Sequence, residues 1–115
     1  PSLQLSHSFE KRLPLRWIAI LRPLVKASLA ATTGIHSAED VIKMVLAGAD
    51  VAMMASLLLV RGVKELTLIE TKLKEWMEEN HYASLEEMKG SMDSRSVAEP
   101  AAFERANYLK ILQSY

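Results

Sequence analysis

Two short segments of the sequence have the pattern of a phosphate-binding turn. One apolar run ends at Thr33 and Gly34 before a helix-starting sequence, and a second apolar run, one helix later, ends at Ala55 and Ser56. A strand that stops at a tight turn before a helix directs backbone N–H groups towards an anion. A lone glycine between strand and helix also occurs in turns that bind nothing. The second turn favours the phosphate interpretation, because adjacent turns of this kind share a phosphate site in (β/α)8 barrels.

The three histidines are the other candidates for acid–base or metal chemistry. His7, His36 and His81 lie far apart, and none has a partner at a metal-ligand spacing such as H-x-x-x-H. At each position a solvated or hydrogen-bonded histidine is the alternative interpretation. Only His36, beside the first turn, is retained as a possible ligand contact. We therefore predict no catalytic residue and no metal ligand in this chain.

Composition narrows the class of protein. The 115 residues are enough for one domain with a buried core, and the 50% hydrophobic content is ordinary for a globular chain. Fourteen basic residues balance fourteen acidic ones, so we predict neither a nucleic acid nor a membrane as partner. Cysteine is absent, no signal-peptide pattern opens the sequence, and the longest apolar stretch, 51–60, is far too short to span a bilayer. We expect a cytoplasmic protein that is processed, trimmed or cut from a longer one, since it does not begin with methionine.

The elements that position the first turn begin with a helix. Its apolar residues recur at three- and four-residue steps: Leu13, Trp17, Ile20 and Leu21. Pro14 fits only a first turn, so the helix is expected to start near Leu13, and it should end at Arg22 because Pro23 follows.

A strand–helix–strand unit follows. Segment 26–32 is predicted as a strand that leads into Gly34. Ser37 with Asp40 resembles a capping box at the start of a helix that Gly48 closes, with Val41, Ile42, Val45 and Leu46 facing inward. Segment 50–54 is a continuous apolar run, typical of a parallel strand buried on both faces. The segment therefore predicts a βαβ unit.

The rest of the chain has a helical pattern. We predict a short element at 57–60, a break at Gly62, a helix at 63–80, a short helix at 84–89 capped by Ser84, a polar loop at 90–99 and a last helix at 100–113. The apolar stripe of the long helix consists of Leu66, Ile69, Leu73, Trp76 and Met77. The expected organisation is an α/β chain with few strands, divided into a segment 1–60 that contains the βαβ unit and a helical extension, 61–115.

The turns and their flanks resemble the end of the flavin-binding barrel of dihydroorotate dehydrogenases, whose last two strands end in a Gly-Gly-Ile turn and a Gly-Thr turn. The resemblance lies in 32–41 and 46–51, and segments 12–21, 89–92 and 103–108 are similar to a bacterial branch of dihydroorotate dehydrogenase-like proteins. It implies that the chain is the C-terminal βαβ portion of a (β/α)8 TIM barrel with a helical tail. It also implies that FMN is the cofactor, its phosphate facing Thr33, Gly34, Ala55 and Ser56.

The sequence departs from this family pattern at two positions, and part of the family pattern has no counterpart in it. Thr33 replaces the first glycine and Ala55 replaces the glycine of Gly-Thr, and a Cβ at either position narrows the room for phosphate and disfavours a positive φ. The resemblance implies that the family's catalytic base, flavin-contacting lysine and pyrimidine-binding asparagines belong to earlier barrel strands, for which we expect no counterpart in this chain. We therefore expect weak FMN binding at most and no catalysis by the chain alone.

Three classes of function remain open at this point, of which the third is a stand-alone binder of a phosphate metabolite that uses the same two turns. The first is the flavin-phosphate site of an FMN-dependent oxidoreductase, in which the chain pairs with the missing N-terminal barrel portion or with another copy of itself. The second is a non-enzymatic, oligomeric α/β assembly module, since two parallel strands leave sheet edges and apolar faces open.

Overall fold

The computed structural model describes residues 2–93, which fold into five helices, one short 3-10 helix and two strands. The 3-10 helix, Ser8–Lys11, runs directly into α1, Arg12–Leu21. The remaining elements, in chain order, are β1 (Ala30–Ala31), α2 (Ala38–Ala47), β2 (Val51–Ala52), α3 (Ala55–Arg61), α4 (Lys64–Glu79) and α5 (Leu85–Met88). The predicted helix at 100–113 and residues 94–99 of the predicted loop lie outside the described residues.

The two strands are parallel and lie side by side, with Ala30 opposite Val51 and Ala31 opposite Ala52. The Met53 N–H donates to the Ala31 carbonyl over 2.8 Å, which continues the pairing just past β2. With α2 between the strands in sequence, the βαβ unit is confirmed. Both strands are shorter than the predicted 26–32 and 50–54, because alanine has low strand propensity and, within residues 2–93, each strand pairs only with the other.

Helix α2 lies at the centre of the packing and contacts both α1 and α4. The core is built from apolar side chains of these helices and of the strand ends: Ile18, Ala31, Ile35, Val41, Met44, Val45, Leu57, Ile69 and Met88. Met44, at 0% exposure, and Leu57, at 1%, are completely enclosed. The inward face predicted for α2 is confirmed at Val41, Ile42 and Val45.

The predicted helix ends are confirmed where capping residues mark them. The Asp40 N–H donates to Ser37 Oγ at the start of α2, and the Glu87 N–H donates to Ser84 Oγ at the start of α5. Gly48 ends α2 with a φ of 129°, a value that favours glycine. These contacts satisfy backbone groups that helix ends otherwise leave free.

The prediction that segment 50–54 is buried on both faces is wrong. Val51 is 54% exposed and Met53 is 52% exposed, and both lie on the same face as Ala30 because side chains alternate along a strand. The opposite face packs against helices. Within residues 2–93, the structure has no layer over the exposed face, so its apolar side chains meet solvent.

Asp50 links three segments at the amino end of the strands. Its carboxylate accepts hydrogen bonds from Arg22 (2.9 Å), Lys89 (2.8 Å) and the Leu29 N–H (2.8 Å). The hydrogen bond from Lys89, followed by that from Leu29, lowers the pKa of Asp50 to about 2. The carboxylate therefore holds the segment after α1 and the end of α5 against the start of β2.

Among residues 2–93, no helix is long and apolar enough to cross a bilayer.

Candidate functional site

The first turn leaves β1 at its carboxyl end and has an unusual backbone. Thr33 has a φ of 80° and Gly34 a φ of 77°, so two consecutive residues are left-handed. A β-branched residue is rarely found in this region, because its Cβ crowds the backbone. The expectation that Thr33 occupies a position suited to glycine is therefore confirmed, and the turn accommodates the strain.

The second turn leaves β2 beside the first. The chain passes through Met53 and Met54 and enters α3 at Ala55. Ala55 and Ser56 are thus the first two helical residues rather than members of the turn. Since Ala55 has no positive φ, its Cβ adds no backbone strain, and the expected strain is confirmed only at Thr33.

Ser6 joins the two turns. The Gly34 N–H donates to Ser6 Oγ over 3.2 Å, and the Ser6 hydroxyl donates to Ser56 Oγ over 3.0 Å. The Ser6 N–H also donates to Ser56 Oγ, over 3.1 Å. Gly34 and Ser56 are therefore brought together, as their positions after neighbouring parallel strands predicted, and one hydroxyl oxygen lies within hydrogen-bonding distance of both.

The 3-10 helix covers the first turn. A Cβ added at Gly34 would collide with the backbone nitrogen of Lys11 and would lie 3.0 Å from the His7 carbonyl oxygen. Because these neighbours are backbone atoms, they cannot move aside as a flexible side chain would. Gly34 thus serves two purposes: it permits the left-handed turn and it allows the close approach of segment 7–11.

An ion pair fixes this covering segment to the start of α2. Lys11 Nζ lies 2.8 Å from Asp40 Oδ1, and the Asp40 side chain is only 5% exposed. Asp40 Oδ2 accepts a hydrogen bond from the His36 N–H over 3.0 Å. Burial raises the pKa of Asp40, but the hydrogen bonds from Lys11 and His36 outweigh burial and hold the pKa below its usual range. Asp40 consequently remains a carboxylate and neutralises Lys11.

His36, the retained histidine, lies directly after the first turn. Its backbone N–H is bound by Asp40, whereas the buried ring atom Nε2 has no hydrogen-bond partner among the described residues. His7 stacks on Phe9 with ring centroids 5.8 Å apart, and His81 lies just past the end of α4 with a φ of 61°. In residues 2–93, no group of three or more His, Asp or Glu side chains has a metal-binding arrangement.

The arrangement at the two turns is suited to binding an oxygen atom. It offers one backbone N–H from Gly34 and one hydroxyl from Ser56. Ser56 Oγ accepts from both the N–H and the hydroxyl of Ser6, so these two hydrogen bonds do not use its own proton, which can be donated to a ligand. Lys11, the cation of the covering segment, is already paired with Asp40. The groups that this arrangement offers to a ligand are therefore neutral donors.

Two important residues were not assigned these roles from the sequence. Ser6 lies in no recognisable motif of the sequence, and its partners are 28 and 50 positions away. Asp50 opens the apolar run 50–54, yet its carboxylate binds side chains from two other segments. A polar residue at the start of an apolar run was the available signal for Asp50, whereas no local pattern identified Ser6.

Comparison with known proteins relates part of the chain to one group of enzymes. The chain is 35% identical over 74 residues to dihydroorotate dehydrogenase (fumarate) of Saccharomyces cerevisiae and to that of Saccharomyces bayanus. The enzyme of Saccharomyces paradoxus has the same identity over the same length. The match includes 64% of this chain and 23% of each enzyme, so the chain spans about a quarter of these relatives. No protein-family model matches the chain. The similarity establishes a partial, modest relation to dihydroorotate dehydrogenases.

Proposed function

We propose that this chain contributes the flavin-phosphate site of an FMN-dependent oxidoreductase related to dihydroorotate dehydrogenase. The relation to enzymes named dihydroorotate dehydrogenase (fumarate) supports the class of reaction. The observation that carries the site is the convergence of Gly34 N–H and Ser56 Oγ at the carboxyl ends of two adjacent parallel strands. Ligands of parallel α/β sheets bind at this end of the strands.

The spacing of the two groups fits a phosphate oxygen. Ser6 Oγ lies 3.2 Å from Gly34 N and 3.0 Å from Ser56 Oγ, so it stands where one phosphate oxygen would lie. Hydrogen bonds to a charged oxygen are roughly twice as strong as those to a neutral one. Gly34 and Ser56 would hold the phosphate, with Thr33 and Ala55 beside it. When bound, FMN supplies the capacity for hydride transfer, and the protein positions it.

The open face of the strand pair fits a chain that forms part of a larger barrel. Ala30, Val51 and Met53 expose apolar surface on the face that lacks a covering layer within residues 2–93. In a closed (β/α)8 barrel the strands enclose a packed core. In this proposal, the N-terminal barrel portion or a second copy of the chain covers this face, and the chain alone does not catalyse the reaction.

A comparison of FMN with riboflavin tests the site, because the two differ only in the phosphate. We expect the full chain to bind FMN at least about tenfold more tightly than riboflavin, since one charge-assisted hydrogen bond contributes ~1.5–3 kcal/mol. Isothermal titration calorimetry measures both affinities. Equal affinities for the two flavins would overturn the phosphate site.

Two serine variants assign the effect to the turns. Ser56→Ala removes the hydroxyl donor and is expected to reduce the preference for FMN. Ser28→Ala is the matched control, because Ser28 is exposed and lies near Asp50 at the opposite end of the strands. An equal loss in both variants would count against the assignment. Bleaching of the flavin by dihydroorotate in the presence of this chain alone would overturn the proposal that it does not catalyse the reaction by itself.

A further inference from the structure

The N-terminal segment 2–7 occupies the groups that a phosphate would need. Ser6 Oγ accepts the Gly34 N–H, and both donors of Ser6 are directed at Ser56 Oγ. We propose that this segment is a latch: Ser6 closes the site in the unliganded protein and is displaced when a phosphate binds. The inference rests on the proposed function and concerns how access to that site is controlled.

The attachment of segment 2–7 suits a latch, because the segment is held less firmly than the 3-10 helix that follows it. Residues 2–7 form no helix or strand, and Ser2, Leu3 and Gln4 are exposed. The following 3-10 helix is held more firmly, by the ion pair of Lys11 with Asp40 and by its contact with Gly34. Release of Ser6 therefore does not require the 3-10 helix to move.

The latch would open when a phosphate oxygen replaces the Ser6 hydroxyl oxygen as the acceptor of the Gly34 N–H. While Ser6 is in place, the Gly34 N–H points at a neutral hydroxyl oxygen and is not available to a ligand. A phosphate oxygen replaces it as a charged acceptor and forms the stronger hydrogen bond. A ligand that offers only neutral oxygens gains no such advantage. Ser6 thereby makes the site selective for anions.

The alternative role for Ser6 is a permanent third contact to the phosphate. In that case the Ser6 hydroxyl would turn towards the ligand and the segment would stay in place. The two roles predict opposite effects of removing the hydroxyl: a latch variant binds phosphate more tightly, whereas loss of a contact weakens binding. The sign of the change separates them.

Ser6→Ala in the full chain tests the latch, with inorganic phosphate as the probe and NMR titration as the assay. We expect phosphate to bind about threefold to tenfold more tightly than to the wild type, which corresponds to removal of one competing hydrogen bond. Ser8→Ala is the control, because Ser8 directly follows the segment and its Oγ accepts a hydrogen bond from Lys11 Nζ over 3.0 Å, away from the hydrogen bonds that join Ser6 to Gly34 and Ser56. Its phosphate affinity should match that of the wild type.

Hydrogen exchange of the Gly34 amide, measured without phosphate, provides a readout that does not depend on ligand binding. Faster exchange in Ser6→Ala than in Ser8→Ala, together with tighter phosphate binding, supports the latch. Unchanged exchange, or phosphate affinity that is equal or weaker in Ser6→Ala, overturns it. If exchange accelerates but no variant binds phosphate, the proposed function fails, and the Ser6 contact is then a structural tie rather than a latch.

Discussion

Replacement of Gly34 by alanine tests whether the first turn is assembled as described. The added Cβ would meet two obstacles: the left-handed φ of 77° and the backbone of segment 7–11, with the His7 carbonyl oxygen at 3.0 Å. A left-handed conformation costs an L-residue about 1–2 kcal/mol, and forcing a methyl group into a packed site costs about 1–3 kcal/mol. The smaller unfolded-state entropy of alanine returns about 0.4–1 kcal/mol. The expected loss of folding stability is about 1–4.5 kcal/mol.

Urea denaturation followed by far-ultraviolet circular dichroism measures this loss. Gly62→Ala is the matched control, because Gly62 also has a positive φ, 86°, but a Cβ there would meet no atom within 4 Å. This control carries conformational strain without the collision. Gly34→Ala should therefore be the less stable of the two by about 1–3 kcal/mol. Equal stability of the two variants would refute the close seating of segment 7–11 on Gly34.

Three further changes test other parts of the structure. Thr33→Gly should raise the melting temperature, because it relieves a β-branched residue at a φ of 80°, whereas Thr32→Gly, which has no such strain to relieve, should lower it. Leu57→Ala should lower the free energy of unfolding, measured by urea denaturation, by about 2–5 kcal/mol, since Leu57 is 1% exposed. Leu59 is 65% exposed, so Leu59→Ala should change this free energy by less than about 0.5 kcal/mol. Because the pKa of Asp50 is lowered in the folded state, its contribution is present above about pH 4 and is lost as pH falls towards 2. Asp50→Asn should lower the free energy of unfolding by about 1 kcal/mol at pH 7, after allowance for solvent screening, and should make it depend less on pH between about 4 and 2. The same pH dependence in Asp50→Asn as in the wild type would contradict this role.

Local signals were enough to predict α1, α2, α4 and α5, whereas α3 begins two residues before the predicted element and the 3-10 helix was not predicted. Ser37, Gly48 and Ser84 mark helix ends through contacts with backbone groups a few residues away, so their roles can be inferred from spacing. The parallel placement of β1 and β2 also followed from the strand–helix–strand order. It led to the expectation that the two turns lie side by side, and Gly34 and Ser56 both bind Ser6.

Strand length and exposure depended on distant parts of the chain. An apolar run such as 50–54 predicts burial on both faces only if neighbouring layers cover it, and Val51 and Met53 lack such a layer within residues 2–93. The partners of Ser6 and Asp50 are likewise separated from them by 21 to 50 positions. Interactions of this range depend on the folded arrangement, so residue spacing alone does not reveal them.

The most direct test of the flavin-phosphate site is an NMR titration of the uniformly ¹⁵N-labelled full chain with FMN, with riboflavin as the comparison. The Gly34 and Ser56 amide signals should shift with FMN and remain in place with riboflavin, because only FMN carries the phosphate that replaces Ser6 Oγ. The Asp50 amide, at the other end of the strands, should not respond to either flavin. Shifts of equal size with both flavins, or FMN shifts that avoid Gly34 and Ser56, would contradict a phosphate site at the two turns.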